Sequence, residues 1–418
     1  MDAKNVKNKV IAIVGGGAAG MMAAYFAKLH NSDSRVILIE KNTYLGAKVI
    51  ISGGGRCNVT TGIVDPNEVL KNYPRGSDFL KTAIYNFPPE AVMNWFESQG
   101  VPLKTEADLR VFPVSNDGHD IVNALNNALK DLNVEILLNT AITDISASGE
   151  NFVLISKSGQ KIEANRLILT TGGHAYRHTG STGDGYHFAQ ELGHTITELA
   201  PSLSSFYTAE KWPAQISGIS FKKATITFTS TNGSTSFTRT GPFLFTHKGV
   251  SGPAIFALSG YAAYQKFDNN KPAKLAIDLF PDQSSQDLEK QIDQLIEKNP
   301  AKKTVNLIDL LLPNSFATIL AENLNLTNIR SSDLSRSNRQ KIVNALKALP
   351  LNLIGRGAGD EFVTAGGIPQ SEINPKSMES RLHPGLFFAG EIIDVDGFTG
   401  GFNLQASWAT GALAGEHL

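Results

Sequence analysis

The stretch KVIAIVGGGAAGMMAAYFAKLHNSDSRVILIEK (9–41) constrains the fold more than any other part of the chain. Its period changes twice, from the apolar run VIAIV through a glycine cluster to an Ala- and Met-rich helical stretch, then to the run VILIE. That order predicts a strand, a tight turn, a helix and a second, parallel strand. Gly15, Gly17 and Gly20 keep the G-x-G-x-x-G spacing at the turn. The first glycine permits the turn, the second lets backbone approach a pyrophosphate, and the third lets helix pack on strand. The helix N-terminus then offers free N–H groups and the positive end of its dipole to phosphates. Glu40 closes the second strand, where an acid accepts hydrogen bonds from ribose hydroxyls and repels a 2′-phosphate. The unit predicts a dinucleotide site without separating one dinucleotide from another.

A chain of 418 residues is too long for one ordinary core and reads as two or three structural units. Lys and Arg number 38 against 39 Asp and Glu, a net charge of -1, which argues against nucleic acid or an anionic membrane surface as partner. A small-molecule substrate is expected instead. One cysteine cannot close an intrachain disulfide, and the polar start MDAKNVKNKV has no signal-peptide pattern, so a cytoplasmic protein is expected. The apolar stretch VSGPAIFALSGYAA (250–263) is short and broken by Gly252-Pro253 and Gly260, too little to span a bilayer.

The only cysteine lies in ISGGGRCNVTT (51–61), a dozen residues beyond Glu40 and so beside the mouth of the expected site. Three consecutive glycines, Gly53, Gly54 and Gly55, suit a chain that bends sharply or passes close to a ligand. Lys48 and Arg56 supply positive charge for a pyrophosphate, and Ser52, Asn58 and Thr60 supply neutral hydrogen-bonding groups. Two readings of Cys57 are open: a nucleophilic or redox thiol lowered in pKa by Arg56, or a small side chain packed against a flat ring. No C-x-x-C pair exists to relay electrons as a dithiol.

Two later segments return to the same ligand. RLILTTGGHAYRHTGSTGDGYHFAQELGH (166–194) begins as a buried strand ending at Thr171-Gly172-Gly173 and continues into a helix over YHFAQEL that Gly193 closes. His174 and His178 stand four apart in its glycine-rich loop without a carboxylate at ligand spacing, so no metal is expected. GLFFAGEIIDVDGFTGGFNLQASWATGALAG (385–415) reads as a strand, the acids Glu391 and Asp394, glycines, and an alanine-rich helix beginning near Asn403-Leu404-Gln405. Because this strand belongs with the first βαβ unit, the chain leaves that domain and comes back. Between about 195 and 358, KKATITFTSTNGSTSFTRTGPFLFTH alternates around an Asn-Gly turn and KLAIDLFPD adds a strand, predicting a small β-domain. LEKQIDQLIEK, SFATILAENL and RQKIVNALKAL then repeat apolar residues at helical spacing. In GPFLFTHKGVSGP, Gly241-Pro242 and Gly252-Pro253 are expected to punctuate a strand and a helix start, leaving His247 at the strand end as a general acid–base or as a loop-orienting hydrogen-bond partner.

The blocks GGGAAG, GAKVIISGGGRCNVTT, TGGHAYRHTGSTGDGY, GPFLFTHKGVSGP and GLFFAGEIIDVDGFTGGFNLQASWATG together resemble the HI0933-like flavoproteins, a bacterial group of FAD-dependent oxidoreductases more distantly similar to fumarate reductase flavoprotein subunits. The resemblance implies an α/β fold: a two-lobed, glutathione-reductase-like Rossmann domain for FAD with an inserted β-barrel-like and helical domain. The expected boundaries are 1–195 plus 359–418 for the FAD domain, 196–280 plus 350–358 for the β-rich insert, and 281–349 for a helical sub-domain, with the insert over the flavin. It implies non-covalent FAD held by Gly15, Gly17, Ala18, Ala19, Gly20, Glu40, Lys41, Lys48, Ser52, Gly53, Gly54, Gly55, Arg56, Cys57, Asn58, Ala141, Thr171, Gly172, Gly173, Gly390, Glu391, Asp394, Gly401, Phe402, Asn403, Leu404 and Gln405. His247 and Cys57 are the candidate catalytic side chains, with the flavin carrying the chemistry. Hydride transfer on a small organic substrate is expected, with NAD(P)H open as donor although no second G-x-G-x-x-G unit is visible. An oxidase of a small amine or amino ketone that makes hydrogen peroxide, and a flavin-bearing binding module without turnover, stay open beside it.

Overall fold

The computed structural model describes residues 9–357 and 362–418. These divide into two units, 9–202 with 362–418, and 203–357. The expected boundary at 358/359 lies outside the described residues.

A five-stranded parallel sheet organises the first unit. Its strands lie in the spatial order Leu386–Phe388, Arg166–Leu169, Val10–Val14, Arg35–Ile39, Glu135–Leu137. VIAIV and RVILI bury four of five residues each, the pattern of strands covered on both faces. Two helices rich in small residues, Ala18–His30 and Phe402–Glu416, pack against one another. A Cβ on Gly411 would stand 2.4 Å from the Ala19 carbonyl oxygen, and one on Gly415 2.6 Å from that of Ala23, so only glycine permits this approach. Since every strand runs the same way, Gly15, Glu40, Thr170 and Ala389 all emerge at one edge of the sheet. That edge is where open α/β sheets bind ligands.

In the second unit six strands close a barrel in the order Phe206–Thr208, Gly249–Ser251, Ser236–Thr246, Ser220–Thr229, Ala273–Asp278, Leu349–Arg356, every pair antiparallel. Alternation builds it: Ala224, Ile226 and Phe228 face the core, while outside it Thr225 and Thr227 meet Thr240 and Thr238 through their hydroxyls. Gly241-Pro242 falls inside a strand whose end lies beside His247, as expected. The strand runs through it to Thr246, and the pairing shifts between Phe221 and Ala224 on the partner, a bulge that accommodates a residue with no N–H to donate. Gly252-Pro253 does open a helix, Pro253–Tyr261. The stretch expected as a helical sub-domain packs into the barrel's own core, where Leu288, Ile292, Phe316 and Leu346 join Phe228, Phe245 and Leu353. Among the described residues no helix is long and apolar enough to cross a membrane.

Candidate functional site

The glycine turn after Val14 has the geometry its spacing predicts. Gly15 has φ +111°, and a Cβ there would lie 2.5 Å from the Thr170 carbonyl oxygen. A Cβ on Gly20 would be 1.8 Å from the Gly15 carbonyl oxygen, so helix and turn touch through bare backbone. At Gly17, by contrast, an added Cβ meets nothing within 4 Å, the open side from which a ligand approaches. Gly17 caps the helix with no side-chain hydrogen bond, and no acid stands in the first turn, leaving the N–H groups of Ala18 and Ala19 to a ligand. Glu40 is buried beside them: one carboxylate oxygen accepts from the Gly16 N–H at 2.7 Å and the other from the Asn42 N–H at 2.8 Å. Ala141 follows Thr140, whose N–H donates to the Glu40 carbonyl. Ala141 therefore stands at the same sheet edge.

Lys48, Gly173, Ser181, Thr364 and Glu391 meet although up to 343 positions separate them. The Lys48 ammonium donates to Glu391 at 2.8 Å and to the Ser181 hydroxyl at 3.1 Å, and Ser181 donates to the Gly173 carbonyl. The other oxygen of Glu391 accepts from the Thr364 N–H, and Thr364 in turn accepts from the N–H groups of His174 and Ala175. Thr171 and Gly172 lead into this network; Gly172 has φ +74°. Lys41 bridges outward to Asp184 and Thr182, each at 2.6 Å. Burial raises the Asp184 carboxyl, but the hydrogen bonds from Lys41 and Thr182 outweigh it and hold the group below its usual range. His174 packs edge-on to Tyr186 and His178 to Tyr176.

Lys48, Arg56 and Cys57 stand in surroundings that the sequence did not show. Lys48 and Arg56 are not free cations awaiting a pyrophosphate. Lys48 is paired with Glu391; Arg56 donates to Glu106 at 2.8 Å and lies 3.8 Å over the Phe112 ring. The Cys57 thiol is not lowered by Arg56 either: it is fully buried, and burial pushes it up to about 12 against a smaller opposing hydrogen bond from Ser52. Its burial suits a small packed side chain, and its own φ is +58°. Gly53, Gly54 and Gly55 share that left-handed region, which explains the glycine run as a backbone requirement of the bend.

The helix Phe402–Glu416 begins at Gly401, φ +90°, again with no side-chain cap and no acid in its first turn. Here the side chains are committed to the protein itself. Asn403 bonds both ways to the Gly397 backbone, Gln405 accepts from Thr60 and donates to the Phe87 carbonyl, and the Phe402 carbonyl accepts from Tyr73. Gly401 and the half-buried Leu404 leave backbone as the contribution of this turn. A Cβ on Gly401 would stand 2.3 Å from the Thr60 carbonyl oxygen, so the 51–61 loop docks directly on this helix end. Gly390, φ +78°, lies against Ala19. His247 is exposed on the turn between two barrel strands, its Nδ1 3.2 Å from the Ser217 hydroxyl. Two buried groups escaped the sequence altogether: Asp396, held by two hydrogen bonds from Arg75 and one from Ser202, and His194, held between Glu372 at 2.7 Å and Ser380 at 2.9 Å. Nothing local announces pairs more than 175 residues apart.

Two buried oxygens, Thr171 Oγ1 and Asp394 Oδ1, have no hydrogen-bond partner among the described residues. An orphaned carboxylate oxygen is costly. Two uncapped helix ends, a glycine cradle, an acid at the second strand and an orphaned acid near the last strand form a donor and acceptor set that fits a dinucleotide with a polyhydroxylated chain. Fold and site define an FAD-dependent oxidoreductase of the Rossmann type. Residues 9–417 match the family described as "HI0933-like protein Rossmann domain", and the chain belongs to it. It is similar to the 3-dehydro-bile acid delta(4,6)-reductase of Clostridium scindens, 29% identical with 97% of this chain and 98% of that protein covered. It is also similar to the ribosomal RNA dihydrouridine synthase of Escherichia coli, 27% identical with 97% of each covered. Among solved structures, the 3-ketosteroid delta1-dehydrogenase of Sterolibacterium denitrificans shares the fold at 12% identity and a TM-score of 0.50, over 98% of this chain and 99% of that one.

Proposed function

We propose that this protein is an FAD-dependent reductase of a carbon–carbon double bond polarised by a neighbouring carbonyl, with NAD(P)H as the donor. The observation that carries this reading is that two full-length relatives with unlike substrates bear names for one kind of change, addition of hydrogen across a double bond, once in a bile acid and once in uridine. When bound, FAD supplies two-electron hydride transfer between donor and acceptor. The chain's own part is to bind and orient. The N–H groups after Gly17 and Gly401 receive the pyrophosphate and the flavin end, Glu40 receives the ribose, and Asp394 Oδ1 accepts from the hydroxylated chain or the ring. Lys48 and Glu391 hold the loop after Thr171 in place by neutralising one another. A nicotinamide would bind without a second glycine-rich unit, since none follows in the sequence.

The test is anaerobic. Purified holoenzyme is mixed with NADH or NADPH while the flavin band near 450 nm is followed, and then a 3-keto-Δ4 steroid acid or a uridine-containing RNA is added. Bleaching by the nicotinamide and recolouring by an unsaturated acceptor is the expected result. A band untouched by either nicotinamide, together with hydrogen peroxide produced from small amines, would replace this reading with that of an amine oxidase.

A further inference from the structure

The balanced charge of the whole chain conceals a division. Residues 203–360 hold 18 Lys and Arg against 12 Asp and Glu, a net of +6; all other residues hold 20 against 27, a net of −7, and together they return the −1 of the chain. The near-neutral net charge is an average over two oppositely charged units. An asymmetry of this size is itself a sign of a polyanionic partner.

We propose that the second unit docks single-stranded RNA through a basic surface formed by Lys298, Lys302, Lys303 and Arg330. All four side chains are exposed, and none makes an ion pair among the described residues; Lys303 reaches only the Asn328 side-chain oxygen, at 3.4 Å. Elsewhere in the unit some cations are neutralised, as Lys223 by Asp282, Arg339 by Asp293 and Lys347 by Asp278. The backbone that carries the four is rigidly stitched. Lys303 and Arg330 face each other across an antiparallel bridge, the Ser331 N–H and hydroxyl both donate to the Lys302 carbonyl, and the Thr304 N–H and hydroxyl both donate to the Ile329 carbonyl. Ser331 and Thr304 are fully buried, so two chain segments are pinned beneath the cations they display.

The chemistry of the patch selects the partner. The exposed large apolar residues of the unit's described part, Tyr264 and Leu310, are not among these segments, so the surface has no apolar centre of the kind a protein interface is built on. Four unpaired cations on a fixed frame suit the phosphates of a nucleic acid, and a pyrimidine base delivered within RNA is one acceptor the reductase reading admits. The proposal thus names a substrate class and rests on that reading.

The experiment measures fluorescence anisotropy of a 5′-labelled, uridine-rich RNA 20-mer with the holoenzyme across a salt series. Four phosphate contacts give a log–log slope of about −3. Lys302→Glu with Lys303→Glu, and separately the neutral pair Lys302→Gln with Lys303→Gln, are expected to weaken binding about tenfold or more and to flatten the slope. The equal charge change Lys157→Glu with Lys161→Glu in the first unit is expected to leave binding within twofold. Flavin absorbance and reduction by the nicotinamide should match wild type in all three. Absence of RNA binding at low salt, equal loss in patch and control variants, or binding to phosphatidylglycerol vesicles but not to RNA would each overturn the proposal. Failure of the reductase reading shows separately, as a flavin that no nicotinamide bleaches, while success on a free steroid without RNA binding sinks only the docking surface.

Discussion

The two units of this molecule solve the same problem of burying strands in opposite ways. In the first, parallel strands hidden on both faces bring five loops to one edge, and that edge becomes a site made mostly of backbone: glycine turns and two uncapped helix ends. In the second, antiparallel strands close on themselves, bury one face in a core shared with helices and turn threonines and lysines outward. The parallel unit concentrates its chemistry at strand ends. The barrel distributes its own over a surface, because closure leaves no common edge at which loops converge. The first unit is acidic and the second basic. With the proposed RNA-docking surface in the basic unit, cofactor and partner chemistry would be separated along one chain.

The largest test of that separation removes one core at a time. Phe316→Ala, which takes a fully buried ring from beside Trp212, Phe221 and Phe245, is expected to cost the second unit about 3–5 kcal/mol. Asp396→Ala, which removes the carboxylate that Arg75 grips with two hydrogen bonds, is expected to cost the first unit about 3–5 kcal/mol. Thermal melts followed both by far-UV dichroism and by flavin fluorescence read them apart: only Asp396→Ala should lower the temperature of flavin release. Equal lowering by both would mean that the units unfold as one.

Next in size is a pair of glycines. Gly20→Ala sets a Cβ 1.8 Å from a carbonyl oxygen and is expected to yield protein with its 450 nm to 280 nm ratio reduced at least tenfold. Gly54→Ala meets nothing within 4 Å and pays only for its left-handed φ of +73°, about 1 kcal/mol, with FAD retained. Retention of FAD by both variants would show that the cradle is looser than its distances.

A smaller effect follows from His194. Burial holds its imidazole below the ordinary value of 6.5, Glu372 opposes this less strongly, and His383 adds a further lowering. The residue is neutral in the fold and takes a proton more readily when unfolded, so stability should fall as pH drops below about 6.5. Glu372 is itself held below the usual carboxylate range by Thr195 and His194 despite burial, so its contribution is lost only below about 4.5. Urea melts of wild type and His194→Gln between pH 7.5 and 5 should converge if this assignment is right, and parallel curves would reject it. The smallest change is expected from His247→Ala: an exposed ring with one hydrogen bond to Ser217 should cost within about 0.5 kcal/mol and leave the FAD content unchanged. A loss of turnover beyond tenfold with FAD retained would make His247 a proton donor rather than a loop anchor.

The βαβ unit was legible because each of its signals is local: two apolar runs, a glycine spacing and an acid within thirty-odd residues. The same holds for the strand over 166–169 and the strand and helix that close the chain. The pairing of Lys48 and Arg56 was not legible because their partners, Glu391 and Glu106, lie 343 and 50 residues away, and no local pattern shows that a cation is already neutralised. That the helices of 281–349 share the barrel's core was not legible, because helical period reveals an apolar face and not what covers it.

The sequence by itself determined the parallel sheet, the glycine turn, the closing helix and the class of cofactor, since strand period, turn chemistry and helix ends depend on neighbours a few residues away. Only the tertiary structure decided which charges are free and which are paired, that burial pushes the Cys57 thiol up, and that Lys303 and Arg330 stand side by side. Electrostatics and burial are set by distance in space, and the folded chain brings together residues that the sequence keeps hundreds of positions apart.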